Sequence, residues 1–101
     1  MREFLRGAVR LHILHHAAHG DVHGAWMAQE LAEHGYRISP GSLYPTLHKM
    51  EDEGLLRSNQ QVIGGRGRRS YVTTAKGRRV LESTKRQLRE LAREVLDDET
   101  P

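Results

Sequence analysis

Two clusters in this 101-residue chain carry side chains that can do more than pack. The first is "GGRGRRS", residues 64 to 70, where three glycines are mixed with Arg66, Arg68 and Arg69. A guanidinium bonds two phosphate oxygens through its planar fork and fits a narrow minor groove. The run therefore has three readings: a phosphate-cradling loop, a disordered basic tail, or a hairpin tip that grips a polyanion. A phosphate loop needs its glycines between a strand and the start of a helix, so that helical amides point at the phosphates. Here β-branched and aromatic residues stand on both sides, Val62 and Ile63 before the run and Tyr71, Val72 and Thr73 after it. That is the pattern of a hairpin. The internal position excludes a tail. A hairpin tip remains, with glycines supplying the positive-φ turn and arginines projecting from it.

The second cluster is "LHILHHAAHGDVHG", which holds His12, His15, His16, His19 and His23, five of the seven histidines. His12 with His16, and His15 with His19, are one helical turn apart, a spacing at which two imidazoles can share a metal ion. No carboxylate stands among these helical histidines, and Asp21 lies past the helix stop. No metal or other cofactor is therefore expected. His12, His15, His16 and His19 are the candidates for a metal- or pH-responsive role. The plainer reading places them on a polar or interface face. The chain has no cysteine, which excludes disulfides, thiolate metal sites and a cysteine nucleophile. It offers no Ser/His/Asp set in a recognisable motif and too small a core for a deep pocket, so no enzymatic activity is expected.

Charge is unevenly distributed. Residues 1 to 80 hold 12 Lys and Arg against 7 Asp and Glu, and residues 81 to 101 hold 4 against 6. From Gly54 to Leu81 there is no acidic residue, while Arg57, Arg66, Arg68, Arg69, Lys76, Arg78 and Arg79 all fall there. Such a one-signed stretch favours polyanions, unless it is a solvated face with no partner. No apolar run approaches a membrane span, and no signal segment opens the chain. A soluble, cytoplasmic protein is expected. With 37% hydrophobic residues and five aromatics, the core of one copy is thin, and a homo-oligomer follows as the default.

These clusters need elements to hold them. "EFLRGAVRLHILHHAAHG" steps its apolar residues (Leu5, Ala8, Val9, Leu11, Leu14, Ala17, Ala18) as a helix does and stops at Gly20-Asp21. "GAWMAQELAEHG" sets Trp26 or Met27 against Leu31 and ends at Gly35. In "SPGSLYPTLHKMEDEG" Ser39 is placed to accept from the free amides of the next turn, and Pro40 sits where a missing amide costs nothing. Leu43, Leu47 and Met50 form the buried stripe and Gly54 closes the helix. Pro45 removes one hydrogen bond near the helix start, which makes the first turn irregular. After the hairpin, Leu81, Thr84, Leu88, Leu91 and Val95 step by three and four, the spacing of a coiled-coil seam. The order is three helices, a hairpin and a long helix: a mainly α fold of the α+β class with one small β-hairpin. A hairpin directly after a helix-turn-helix is a winged helix, whose helix enters a major groove while the wing reaches the neighbouring backbone or minor groove. Exposed Ser42, Thr46, His48 and Lys49 are then the groups facing phosphates and base edges. Ser42 could equally finish the cap, and Thr46 could equally solvate a surface.

"ISPGSLYPTLHKMEDEGLL" followed by "GGRGRRSYVTTAKGRRVLE" closely resembles the PadR family of bacterial transcriptional regulators. The resemblance covers residues 4 to 96, nearly the whole chain, and "SPGSLYP" together with "YVTTAKG" is a specific combination. It implies a homodimeric winged-helix regulator of repressor type that binds a pseudo-palindromic site on double-stranded DNA and is released by an unidentified small-molecule effector. Residues 1–74 would be the DNA-binding domain, 75–97 a C-terminal dimerisation helix packing on the partner's first helix, and 98–101 a loose tail. Ser39, Gly41, Ser42, Tyr44, Pro45, Thr46, His48 and Lys49 would fall on the recognition helix, and Arg66, Arg68 and Arg69 on the wing. The dimer seam would be Leu81, Thr84, Leu88, Leu91 and Val95. Tyr44 would face the DNA backbone, though the residues alone also allow a half-buried tyrosine that pins the helix to its neighbour. Two departures stand out. The family's usual His-Gly-Tyr is His23-Gly24-Ala25 here, and the terminal helix lacks the tryptophan that stacks planar drugs in some members, so no multidrug-sensing role is implied. An adapter that turns the winged helix toward protein is the remaining alternative, and the acid-free basic stretch speaks against it.

Overall fold

The computed structural model describes residues 1–97; the tail expected at 98–101 lies outside them. Four helices and three strands follow in the order α1 (Arg2–His19), β1 (Val22–His23), α2 (Gly24–Glu33), α3 (Pro40–Asp52), β2 (Leu56–Ile63), β3 (Arg66–Thr73) and α4 (Ala75–Asp97). The winged-helix architecture is as expected, with one addition. β1 pairs with β3, Val22 opposite Tyr71 and His23 opposite Ser70, so the sheet has three antiparallel strands in the order β1-β3-β2. Two residues are too short a run for any periodicity to reveal; only pairing to β3 defines this strand.

Each helix ends where local chemistry lets it. After α2, Gly35 takes φ +89°, the Tyr36 N–H bonds the Leu31 carbonyl at 2.8 Å and the Gly35 N–H bonds the Ala32 carbonyl at 3.0 Å. After α3 the same motif recurs. Gly54 takes φ +80°, and Leu55 and Gly54 donate to Met50 and Glu51, both at 2.9 Å. In each case a left-handed glycine turns the chain back to satisfy the last carbonyls. The start of α3 differs from expectation. Ser39 is the extended N-cap residue, but its side chain bonds no free amide; its carbonyl accepts from Ser42 and Leu43, and its hydroxyl donates to the Ser42 hydroxyl at 3.4 Å. Pro45 stays inside the helix, and one residue on, the Thr46 hydroxyl donates to the Ser42 carbonyl at 2.9 Å. This is the bond of a helical threonine to the carbonyl four residues back.

The core lies between the helices and one face of the sheet. Ile13, Leu14 and Ala17 of α1, Met27 and Leu31 of α2, and Leu43, Leu47 and Met50 of α3 meet Leu55, Leu56, Tyr71 and Leu81 there. The choice open on α2 is resolved in favour of Met27, which is fully buried, while Trp26 is 45% exposed. α4 starts in a tightly built corner. The Thr74 hydroxyl accepts from the Gly77 N–H at 3.0 Å, as an N-cap does, and donates to the Gly54 carbonyl at 2.6 Å. The neighbouring Thr73 hydroxyl, buried, donates to the Leu14 carbonyl at 3.0 Å. Gly77 itself lies against the Leu55 carbonyl oxygen, with no room for a side chain.

A methyl at position 77 meets backbone, which cannot swing aside. Gly77→Ala is therefore expected to destabilise the chain by about 1–3 kcal/mol, a drop in melting temperature of roughly 4–8 °C per kcal/mol at this size. Thermal unfolding followed by circular dichroism measures it, and an unchanged melting temperature would show that the corner yields without cost.

Candidate nucleic-acid interface

α3 is divided cleanly between its faces. Leu43, Leu47 and Met50 are buried, whereas Gly41, Ser42, Tyr44, Pro45, His48 and Lys49 are exposed and Thr46 is half-buried. The structure thus gathers the polar residues singled out on this helix on one accessible side. Thr46 enters with its proton already donated to Ser42, which leaves its oxygen as an acceptor. Tyr44 is partly exposed and partly packed on its neighbour. It is 43% exposed, and its ring packs over Gly24 at the start of α2.

The arginine run is distributed differently from expectation. The turn consists of Gly64 and Gly65 alone, with φ +59° and +77° and Ile63 paired to Arg66 across it. Two consecutive positive φ values define the two-residue hairpin turn whose twist matches the strands. Arg66, Arg68 and Arg69 are not at the tip but along β3, opposite Ile63, Gln61 and Gln60. Strand alternation sends Arg66 and Arg68 to one face and Arg69 to the other. Arg69 donates to the Gln60 side chain at 3.4 Å on the face that carries Tyr71. Arg68 borders a hollow of about 490 Å³ together with His16, His19, His23 and Trp26. The wing therefore offers cations to both sides.

The wing is tied to α3 through Glu51. This carboxylate accepts from the Ser58 hydroxyl at 2.6 Å and from the Ser58 N–H at 3.0 Å, bonds that hold its pKa below the usual carboxylate value. Nothing in the sequence spacing pointed to this pair. The acid-free stretch is also less uniform in space than in sequence. Lys76 donates to the Glu53 carbonyl at 2.7 Å and Arg78 to the Ala18 carbonyl at 3.1 Å, so two of its seven cations satisfy helix-end carbonyls. Arg10 forms an ion pair with Glu53.

On α4, Leu81 is only 4% exposed because it fills the chain's own core, and Thr84 is half-buried with its hydroxyl donated to the Val80 carbonyl at 2.7 Å. Leu88 (45% exposed), Leu91 and Val95 stand free, as does Leu96, and Phe4 and Leu5 of α1 are exposed too. Leu88 and Leu91 line a groove of about 580 Å³ with Phe4, Leu11 and His15. Leu81 and Thr84 line the inner end of the same groove, so the exposed apolar part of the face starts at Leu88, two turns after Leu81, and extends onto α1.

The histidines do not gather round one point. Among the described residues no three ligating side chains converge as a metal site would require, although neighbouring rings touch: His12 stacks on His16 at 6.3 Å and His15 meets His16 at 4.9 Å. His12 faces His34 and Tyr36. His16 meets Trp26 and lies 3.5 Å from Glu30. His15 stacks edge-on with His19. Glu30 also reaches His34 at 3.2 Å. The carboxylate missing from the sequence run is therefore brought in by α2. For His12, His15 and His16, burial pushes the pKa below 6.5, helped by neighbouring imidazoles and, at His15, by Lys85; Glu30 opposes it at His12 and His16.

These depressed values have a defined consequence. The unfolded chain, with imidazoles near 6.5, takes up protons before the folded one does, so stability is greatest above pH 6.5 and falls as the pH drops through the folded-state values. Melting temperatures measured from pH 7.5 to 5 should decline on the acid side. His12→Gln and His15→Gln should each flatten that decline, and a pH-independent melt would contradict the assignment.

Comparison with known proteins agrees with this geometry. The model of the transcriptional regulator PadR-like family matches residues 13–83. The transcriptional regulator Rv3488 of Mycobacterium tuberculosis (strain ATCC 25618 / H37Rv) is 65% identical over 96 residues, 95% of this chain and 90% of that protein. Among solved structures, a PadR family transcriptional regulator from Eggerthella lenta DSM 2243 superposes with a TM-score of 0.84 at 32% identity, covering 98% of this chain and 88% of that one. A PadR-like transcriptional regulator from Bacillus cereus strain ATCC 14579 gives 0.88 at 28% identity over 98% of both chains. An exposed polar helix face beside a basic wing, on a chain that the family model matches over most of its length, has one consistent assignment: the protein belongs to the PadR-like family of transcriptional regulators.

Proposed function

We propose that the protein is a homodimeric repressor that binds a pseudo-palindromic operator and leaves it when a small-molecule effector changes the angle between the two winged heads. The observation that carries this reading is the division of α3, apolar and buried on one side, polar and accessible on the other, next to a wing with three exposed arginines. In the complex α3 lies in the major groove. Ser42, Thr46, His48 and Lys49 face base edges and phosphates, Ser39, Gly41 and Pro45 bring the start of the helix close to the backbone, and Tyr44 meets a phosphate. Because they leave β3 on opposite faces, Arg68 and Arg69 grip separate stretches of backbone, with Arg66 nearest the tip. Residues 1–74 act as the DNA-binding unit and 75–97 as the dimerisation helix, and the protein works in the cytoplasm.

The free apolar face of α4 and α1 supports the dimer. Leu88, Leu91 and Val95, with Phe4 and Leu5, are too many large apolar side chains along one side of a small chain to be left in water. Leu81 and Thr84 back this seam from within the chain. Two heads held in this way would address half-sites about one helical turn apart, roughly 34–36 Å. No helix among the described residues is long and apolar enough to cross a membrane.

Fluorescence anisotropy on a duplex from the protein's own promoter region tests the DNA contacts. Replacing Arg66, Arg68 and Arg69 by Ala should weaken binding to every sequence and flatten the logarithmic salt slope by roughly 0.9 for each phosphate no longer neutralised. Thr46→Ala or His48→Ala should instead change which bases are preferred, by about 1–3 kcal/mol at the position read. An equal loss of sequence preference from both sets would contradict this division, and no binding at low salt would remove the DNA-binding reading altogether.

Sedimentation tests the dimer. Leu88→Asp, which places a charge in the seam, should give a folded monomer; a dimer of unchanged strength would show that the interface lies elsewhere.

A further inference from the structure

α2 begins against the recognition helix with no free space between them. A methyl group built on Gly24 would lie 2.6 Å from the Tyr44 Cε1 and 3.0 Å from both its Cζ and its hydroxyl oxygen, well inside the 3.5–4.0 Å of an ordinary carbon contact. Gly24 is buried, whereas Tyr44 keeps 43% of its surface exposed. The ring is therefore covered on the side that faces Gly24 and still partly accessible. Nothing in the backbone asks for glycine at this position. Gly24 does not have positive φ and is the first residue of a helix, where alanine is the better helix former. The requirement comes from the ring alone.

The nature of the obstruction matters. At Gly77 the obstructing atom is a backbone carbonyl, so a side chain there strains the fold. At Gly24 the nearest atoms belong to the far end of a side chain that can rotate about its own bonds. A methyl group at 24 would be accommodated by turning Tyr44 out of its present rotamer, with the fold intact and the hydroxyl moved by a distance that a hydrogen bond does not tolerate.

We propose that Gly24 is a positioning residue for DNA binding: its bare backbone is the surface against which the Tyr44 ring rests, so that the hydroxyl points at a DNA phosphate before DNA arrives. The inference rests on the reading of Tyr44 as a backbone contact. It assigns a function on α2 to a residue that itself touches no DNA and acts only through α3. Preorganisation of this kind strengthens binding by removing the cost of ordering a side chain at the moment of association.

Four proteins decide the matter: the wild type, Gly24→Ala, Tyr44→Ala and the double variant, each measured by anisotropy on the same promoter duplex and by thermal unfolding. Gly24→Ala should melt within about 2 °C of the wild type, since helix propensity at 24 improves. It should bind DNA about tenfold more weakly, the loss expected for one hydrogen bond to a charged group. In the Tyr44→Ala background, where there is no ring to displace, the same substitution should change affinity less than about twofold, the signature of coupling between the two positions. Wild-type affinity in Gly24→Ala overturns the proposal. So does an equal loss with and without the ring, which would make Gly24 a direct contact, and so does a melting temperature many degrees lower, which would make its role structural. In all three cases wild-type binding keeps the DNA-binding reading intact. A wild type that ignores the duplex overturns that reading, and this one with it.

Discussion

The structure turns on a close approach of backbone to backbone, Gly77 at the start of α4 against the carbonyl of Leu55 after α3. Around it, Thr74 donates to Gly54 and accepts from Gly77, and Thr73 donates to Leu14 of α1. Two hydroxyls and one missing side chain thus join the end of the recognition helix, the end of the wing and the first turn of the long helix to α1. Because the approach is made by main chain, it has no rotamer freedom to absorb change. Any rotation of α4 must carry α3 and the wing along with it or break this corner.

From that corner the remaining ties follow in sequence. The core clamps α3 through Leu43, Leu47 and Met50, Glu51 at the far end of the helix fastens the wing through Ser58, and Tyr71 on the central strand is buried in the same core. The helix is held by apolar burial, and the wing by Leu56 and Tyr71 in the same core together with the charge-assisted bonds of Glu51 to Ser58. Apolar burial is not weakened by charge screening, and a short, half-buried carboxylate contact is screened less than an exposed pair. The reading surface should thus keep its shape under conditions that weaken its grip on DNA.

Much of this was legible in one dimension. Helices stop at Gly35 and Gly54 because glycine alone enters the left-handed region without strain, and the same residues mark the stops in the sequence. The hairpin was visible because strand-forming residues flank paired glycines, and the recognition helix because three apolar residues recur at helical spacing between polar ones. What the sequence left out shares one character: it depends on residues far apart in the chain. Pairing of Val22 and His23 with β3, the placement of Glu30 beside His16, the seat that Gly24 offers Tyr44, and the burial of Leu81 in its own core are long-range approaches that no local period encodes.

The sequence by itself determined the four helices and the hairpin, their order, the basic character of the wing and the family, because each is set by local backbone preference, residue composition or motif. Only the tertiary structure decided which side of each element is free. Arg68 and Arg69 are neighbours in sequence, yet a strand turns successive side chains to opposite faces, and only the folded surroundings say what each meets: Gln60 for Arg69, and the hollow with His16, His19 and Trp26 for Arg68. Five histidines form one run in the chain; four of them stay in ring contact along α1, and only the approach of α2 gives His12 and His16 different neighbours, His34 for one and Trp26 for the other. Side-chain direction is a property of the folded neighbourhood, and that is where the sites of this protein are defined.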